Sequence, residues 1–355
     1  MKVLSLFSGV GGFDMGLENA GMETVFQCEW DKHANSILHK HWPEVPKWDD
    51  VSTLTGKHIL AHAPVIDVVA WGSPCQDLSG ANTNRTGLEG NRSGLFYEGI
   101  RIIKELQEES NGQYPRISIW ENVVGALSSN RGADFGVILD EMAKAGALAI
   151  EWSVLDAQYF GIPQRRRRVF VIAIFDPLLA SRCSNPLLPV CKSIFGDITK
   201  SKQSRQNTSR TTTKGTRTSN AIIGSDIVGS LAASDYKFPQ QQQQVNENKI
   251  VVEPYGIQGN VIGRQHQNGP AGKGYTNQGD PMFTLTSTDR HAIAEPTAVR
   301  RLTPLECERL MGWPDDHTRY KADGTEQADT HRYKQCGNGV ASPVAQWIAK
   351  HILNI

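Results

Sequence analysis

From Lys2 to about residue 176 the chain alternates short apolar runs with amphipathic segments, the pattern that a β-α-β sheet imposes on a sequence. The runs predict strands near residues 2–7, 24–28, 65–71, 117–120, 151–155 and 169–174, with helices between them, including 95–108 and 135–145. An α/β fold with a Rossmann-like sheet is the expectation. Chemistry in such sheets collects outside the carboxyl ends of the strands, so the residues that follow each apolar run are the ones to read.

The pattern stops after Pro177. Residues 198–220 are rich in Ser, Thr, Lys and Arg, and 240–244 are glutamines, so disorder is expected in part of this stretch, without the sequence deciding how much of 198–248 is ordered. Residues 255–291 are glycine-rich and polar and predict irregular loops. Compact patterning resumes near 300, with a short helix around 302–311 and a terminal helix carrying Val344, Trp347, Ile348 and Ile352 on one face. A length of 355 residues accommodates about two domains. The 37 basic and 37 acidic side chains cancel, which argues against a protein that coats itself with a polyanion; any nucleic-acid contact must be local. Lys200, Lys202, Arg205, Arg210, Lys214 and Arg217 form one such acid-free patch. Six cysteines without a Cys-x-x-Cys pair predict neither a metal site nor disulfides, and no run is long enough to span a membrane, so a cytoplasmic protein is expected.

Several strand ends carry reactive groups. The run 65–72 leads into Ser73-Pro74-Cys75-Gln76 and presents a single thiol, for which a buried, inert cysteine is the alternative. The first run leads into Phe7-Ser8-Gly9-Val10-Gly11-Gly12, whose glycines let backbone approach a ligand, although the spacing departs from Gly-x-Gly-x-x-Gly and an ordinary turn is possible. Glu29 and Trp30 end the second run, where an acid can hold ribose hydroxyls and an aromatic ring can cover adenine; a capped turn with a surface acid is the alternative. Glu121-Asn122-Val123 brings a carboxyl to the same edge as Cys75, able to move a proton if burial raises its pKa; a helix-start acid is the simpler reading. In Gln164-Arg165-Arg166-Arg167-Arg168, alternation places Gln164, Arg166 and Arg168 on one face. A solvated charge run competes with guanidiniums aimed at carboxylates, phosphates or a base. Residues 76–94 form a long polar loop beside the thiol, a lid or an ordinary surface excursion.

As a set and in this order, these segments resemble the C5 cytosine-specific DNA methyltransferases of bacteria and phages, over residues 1–176 and 298–355. The C-terminal part of the likeness lies in 301–314 and 335–340, with Gly339 standing where the family commonly carries serine; 259–264 and 284–291 resemble segments of bacterial and phage members. The resemblance implies an S-adenosylmethionine-dependent methyltransferase sheet with a smaller, irregular target-recognition domain. Its boundaries would be 1–177 for catalysis and cofactor, 178–297 for target recognition, and 298–355 for the return to the catalytic domain. It implies S-adenosyl-L-methionine held by Phe7, Ser8, Gly9, Gly11, Gly12, Glu29, Trp30, Asp50, Val51, Pro74, Leu95, Asn338 and Gly339, with Asp50 preferred over Asp49 toward the adenine. It also implies Cys75 as the nucleophile on cytosine C6, Glu121 at N3, and Arg166 holding the base and orienting Glu121, with Gln164, Arg168 and Asn122 in support. Ser79 and Arg92 become contacts to the DNA backbone on a loop closing over a flipped base. Double-stranded DNA is the implied partner of a monomer, with or without a restriction endonuclease acting separately, and no metal. The rivals are the same chemistry on transfer RNA, which the large middle region disfavours, and a DNA-binding module without catalysis, which Cys75, Glu121 and Arg166 disfavour. A nicotinamide oxidoreductase fits the glycine spacing and the thiol poorly.

Overall fold

The structure, a computed structural model, describes residues 1–74, 94–183, 186–188, 255–258, 274–276, 280–287, 291–295 and 298–355. Cys75, Ser79, Arg92, the basic patch, the glutamine tract and the segment 259–264 lie outside the described residues. Two compact units emerge: Met1–Ile162 with Arg166–Leu188 and Pro304–Ile355, and Pro163–Arg165 with Pro189–Thr303.

The first unit is built on seven strands: β1 (Lys2–Leu6), β2 (Glu23–Cys28), β3 (Lys47–Trp48), β4 (Val68–Trp71), β5 (Ile117–Val123), β6 (Ala149–Asp156) and β7 (Arg167–Ile174). Their order is β3-β2-β1-β4-β5-β7-β6, with β7 antiparallel to both neighbours and the other pairs parallel. Chain growth runs outward from β1 to β3, then returns to β4 on the other side. The β1/β4 boundary is therefore the switch point, and a crevice opens at the carboxyl ends there. Helices α1 (Gly12–Glu18), α2 (Lys32–His41), α3 (Gly56–His62), α4 (Gly94–Glu109), α5 (Ala133–Lys144) and α6 (Pro177–Arg182) follow within this unit. It closes with α7 (Pro304–Leu310), α8 (Asp329–Asn338) and α9 (Ser342–Leu353).

Two strand boundaries differ from the apolar runs for a visible reason. β4 starts at Val68 because Asp67 is used as a junction, its carbonyl accepting from the N–H groups of both Arg116 and Ile117. β5 continues through the polar Glu121 and Asn122, because β7 pairs with it as far as Val123 opposite Arg168, and ladder hydrogen bonds outweigh composition.

The core beneath the site is aromatic. Trp71 of β4 stacks on Phe96 of α4 with ring centroids 5.5 Å apart, and the two buried indoles find acceptors, Trp71 on Ser118 Oγ (2.8 Å) and Trp120 on Ser73 Oγ (3.2 Å). A side chain at Gly99 would collide with the Trp71 ring, so glycine lets α4 lie close to the sheet. On the opposite face α9 packs on α1, buried through Val344, Ala345, Ile348, Ala349 and Ile352. Burying that stripe is what returns the chain's end to the first unit.

In the second unit three short antiparallel strands, β8 (Tyr255–Ile257), β9 (Ala292–Glu295) and β10 (Ala298–Arg301), pair in the order β10-β9-β8, of which only β8 falls in the stretch 255–291 expected to be irregular. Because β10 pairs with β9, the first unit resumes at Pro304 and not at 298. Among the described residues no helix is long and apolar enough to cross a membrane.

Candidate active site

Toward the carboxyl end of β5, Glu121 is buried beside Gly72, where an added Cβ would stand 3.2 Å from Glu121 Oε2. Its Oε1 receives the Nε–H of Arg168 at 3.0 Å, both side chains being largely shielded. The antiparallel register makes that contact, since it sets Arg168 opposite Val123, two residues along the same face as Glu121. Burial pushes the Glu121 carboxyl above its usual range, while Arg168 and then Arg166 pull against the shift. The result is a carboxyl held above its ordinary range beside two cations.

Asn122 is buried and ties the edge together, donating from Nδ2 to the Ser73 carbonyl (3.2 Å) while its Oδ1 takes the Val123 N–H (2.8 Å). Ser73 thus fixes the last residues before Pro74 through both its hydroxyl and its carbonyl. Cys75 is the next residue after Pro74. Of the other cysteines, Cys28, Cys307 and Cys336 are buried, and burial pushes each thiol up, Cys307 to about 12; Cys183 is also raised. None of these four has the cationic, accessible setting that makes a thiolate.

The arginine run divides its labour differently from the expectation. Arg168, expected in support, is the residue on Glu121. Arg166, expected to orient Glu121, is buried and turns its Nη2 to the carbonyls of Gly337 (2.9 Å) and Gly339 (2.6 Å) at the end of α8. Its nearness still acts on Glu121 electrostatically. Gln164 belongs to the second unit, where its Oε1 accepts from the Leu285 N–H at 3.3 Å.

The crevice at the ends of β1 and β2 is shaped by a turn with positive φ at Phe7 (55°), Gly9 (58°) and Gly11 (85°). Its three glycines serve different ends. A Cβ at Gly9 would meet nothing within 4 Å, so Gly9 faces open space. At Gly11 it would strike the Trp42 ring, and at Gly12 the Val340 carbonyl at 2.5 Å, so these two let protein approach protein. Ser8 is likewise spent inside the fold, its hydroxyl on the carbonyls of Ser5 (3.0 Å) and Cys28 (3.3 Å).

Glu29 receives the Gly9 N–H on Oε2 and the Asp31 N–H on Oε1, each at 2.7 Å, which fixes the carboxylate and leaves each oxygen a further lone pair. Burial raises its pKa and those two N–H groups oppose the rise. Trp30 beside it is 75% exposed, a large ring without cover. An anchored acceptor, open backbone and a bare indole together suit the ribose and adenine of S-adenosylmethionine. Trp30 and Asp49 also line a cavity of about 320 Å³ with Asn35, Ser36 and His39. Asp49 Oδ1 is taken by Asn35 Nδ2 (2.6 Å), and Asp50 Oδ1 by the Ser52 N–H (2.9 Å) and hydroxyl (2.7 Å). Val51 is buried in the core, Leu95 packs partly against it, and Pro74 and Asn338 are exposed. At Gly339 a Cβ would lie 2.5 Å from the Trp313 ring, which explains glycine here: the indole fills the space a serine would need.

Sequence reading missed Ser342, whose hydroxyl donates to the Gly12 carbonyl (2.8 Å), and His317, whose ring reaches Val10. Neither sits in a local pattern that marks it, because each partner lies some three hundred residues away.

Residues 1–354 match the family described as C-5 cytosine-specific DNA methylase. The chain is 26% identical to the orphan methyltransferase M.SPRI of Bacillus phage SPR, with 100% of this chain and 98% of that protein covered. It is 29% identical to the type II methyltransferase M.Bsp6I of Bacillus sp. strain RFL6, covering 99% and 98%. A similar solved structure is a putative DNA modification methyltransferase encoded within a prophage of E. coli, at TM-score 0.60 and 20% identity over 100% of this chain and 99% of that one.

Proposed function

The chain belongs to the C-5 cytosine-specific DNA methylases, and from that premise we propose how its own residues divide the work. The reaction moves a methyl group from S-adenosyl-L-methionine to C5 of a DNA cytosine. Bound S-adenosylmethionine supplies an electrophilic sulfonium methyl; Glu29, Trp30 and the backbone at Gly9 would hold its adenosine part.

Cytosine C5 is a weak nucleophile until the ring's conjugation is broken. Cys75 forms a bond to C6, and the ring electrons move toward N3, where Glu121 delivers a proton. C5 then takes the methyl group and loses its proton to a base, and the C5–C6 double bond re-forms as the Cys75 thiolate leaves and N3 returns its proton to Glu121. Arg168 orients Glu121 and spreads positive potential over the pocket, which also favours the Cys75 thiolate. Arg166 acts one step back, tying β7 to the end of α8. A base paired inside a duplex cannot be reached this way, so the substrate is a cytosine flipped out of double-stranded DNA, with Ser79 and Arg92 on the loop that closes over it. Sequence choice belongs to residues 189–303, and the protein acts as a monomer in the cytoplasm, alone or beside a restriction endonuclease.

The observation that carries this reading is the buried Glu121–Arg168 pair at the edge where Gly72 and Ser73 lie, Ser73 being two residues before Cys75 in the sequence. Duplex DNA carrying 5-fluorocytosine, whose fluorine cannot leave as a cation, should trap a covalent adduct in the presence of S-adenosylmethionine. Cys75→Ala should abolish it; an undiminished adduct in that variant overturns the nucleophile assignment.

A further inference from the structure

The glycine turn is gripped from outside by residues that reach it only through the C-terminal return of the chain. His317 is 3% exposed, and its Nε2 lies 2.7 Å from the Val10 carbonyl. A carbonyl only accepts, so Nε2 carries the hydrogen. The imidazole stacks on the His41 ring of α2, with centroids 4.1 Å apart and planes 15° from parallel, and His41 Nε2 donates in turn to the His317 carbonyl at 2.8 Å. Four residues earlier, the Trp313 indole donates to the Val340 carbonyl at 3.1 Å. That carbonyl is the group pressing on Gly12. One short segment thus presents two ring N–H donors, one behind each half of the turn.

The segment has its own anchor. The Thr318 N–H and Arg332 Nη2 each donate to Glu308 Oε1 at 3.0 Å, and Gln327 Nε2 donates to the Thr318 carbonyl at 2.9 Å. Among the described residues no hydrogen bond joins this cluster to Glu121 or Arg168, so it acts mainly on the cofactor side of the site.

We propose that His317, seconded by Trp313, is a positioning residue that holds the Val10–Gly12 backbone in the shape that binds S-adenosylmethionine, and so sets cofactor affinity without taking part in the chemistry at cytosine. This rests on the reading that the turn and Glu29 hold the cofactor. Burial, with His41 and Lys40 facing the ring, lowers the His317 pKa to about 3. The brace is therefore a neutral donor across the assay range, and its effect should not change between pH 6 and 8.

The test measures S-adenosylmethionine binding by calorimetry, together with kcat and the KM for cofactor and for DNA. His317→Phe keeps a ring to stack on His41 and loses the donor. It should raise the Kd and KM for S-adenosylmethionine about fivefold, the usual worth of one hydrogen bond, and leave the KM for DNA and kcat at saturating cofactor near wild type. His317→Gln restores an N–H donor and should recover most of the affinity. Trp313→Phe, which loses the donor to Val340 together with part of the indole beside Gly339, should weaken cofactor binding in the same direction and keeps the test decisive if His317→Phe does not fold. Glu29→Ala serves as the reference arm. If Glu29→Ala weakens binding and the brace variants do not, the brace is overturned; equal rises in both KM values overturn it too. If Glu29→Ala binds as wild type, the pocket assignment itself falls and the brace falls with it.

Discussion

The floor of the cofactor crevice and the base-handling edge each bury a carboxyl, and they satisfy it in opposite ways. Asp14 of α1 lies under the glycine turn with neutral donors only, Ser5 Oγ at 3.0 Å and Gln27 Nε2 at 2.9 Å, and burial lifts its pKa to about 6. Glu121 lies at the end of β5 with Arg168 on one oxygen and Arg166 nearby, and its pKa is raised against the pull of both. Neutral partners suit an acid that holds a fold in place. Cationic partners suit an acid that must gain and lose a proton while charge develops on a bound ring.

The comparison is broken most directly at Glu121. Glu121→Gln should lower kcat by about 10²–10⁴-fold, the usual worth of a positioned acid, with little change in S-adenosylmethionine affinity measured by calorimetry. A comparable loss of cofactor affinity would show that the two regions are not separable.

Acid sensitivity comes next. The His317 ring is neutral when folded to about pH 3 but titrates near 6.5 when unfolded, so its stabilisation is complete above 6.5 and is lost as pH falls. Between pH 6.5 and 4.5 this amounts to about 3 kcal/mol at about 1.4 kcal/mol per pH unit. Urea midpoints should fall less steeply with acid in His317→Gln than in wild type.

Asp14 has the opposite sign. The folded state keeps its proton up to about pH 6 while the unfolded chain releases it near 3.8, so this contribution is full below about 4 and declines as pH rises toward 6. The change is about 3 kcal/mol at most. In Asp14→Asn the same urea series should lack that decline, and identical curves would mean that Asp14 is not protonated when folded.

Gly339→Ser should destabilise by about 1–3 kcal/mol, because its Cβ meets the Trp313 ring. Trp313→Phe should relieve part of that cost in the double variant, read from thermal melts. The smallest effect is expected at Gly9, where a methyl group has room and only the positive φ of 58° opposes it. Gly9→Ala should cost about 1–2 kcal/mol in stability, with any further loss appearing in cofactor binding.

Much of the sheet was legible because strands buried on both faces must be apolar throughout, and the six predicted strands all appear in the seven-stranded sheet. The missing strand, β3, is only two residues long and has no periodicity to detect. In the site, alternation placed Arg166 and Arg168 on one face but could not say which meets Glu121. That depends on β5 running three residues past its apolar stretch to pair with β7. The glycines were legible as a turn, yet their individual reasons were not, since Trp42 and Val340 decide two of them.

By itself the sequence determined what is local: the strand ends, the types of reactive group placed there, and the order of motifs that marks the family. Periodicity and backbone restriction act over a few residues, so they can be read along the chain. Tertiary structure alone decided which partner each group meets: Arg168 rather than Arg166 on Glu121, Trp313 in place of a serine side chain, and His317 on Val10. These contacts join residues up to 307 positions apart, fixed by strand register and by α9 burying its apolar stripe on α1, and no local rule encodes such a distance.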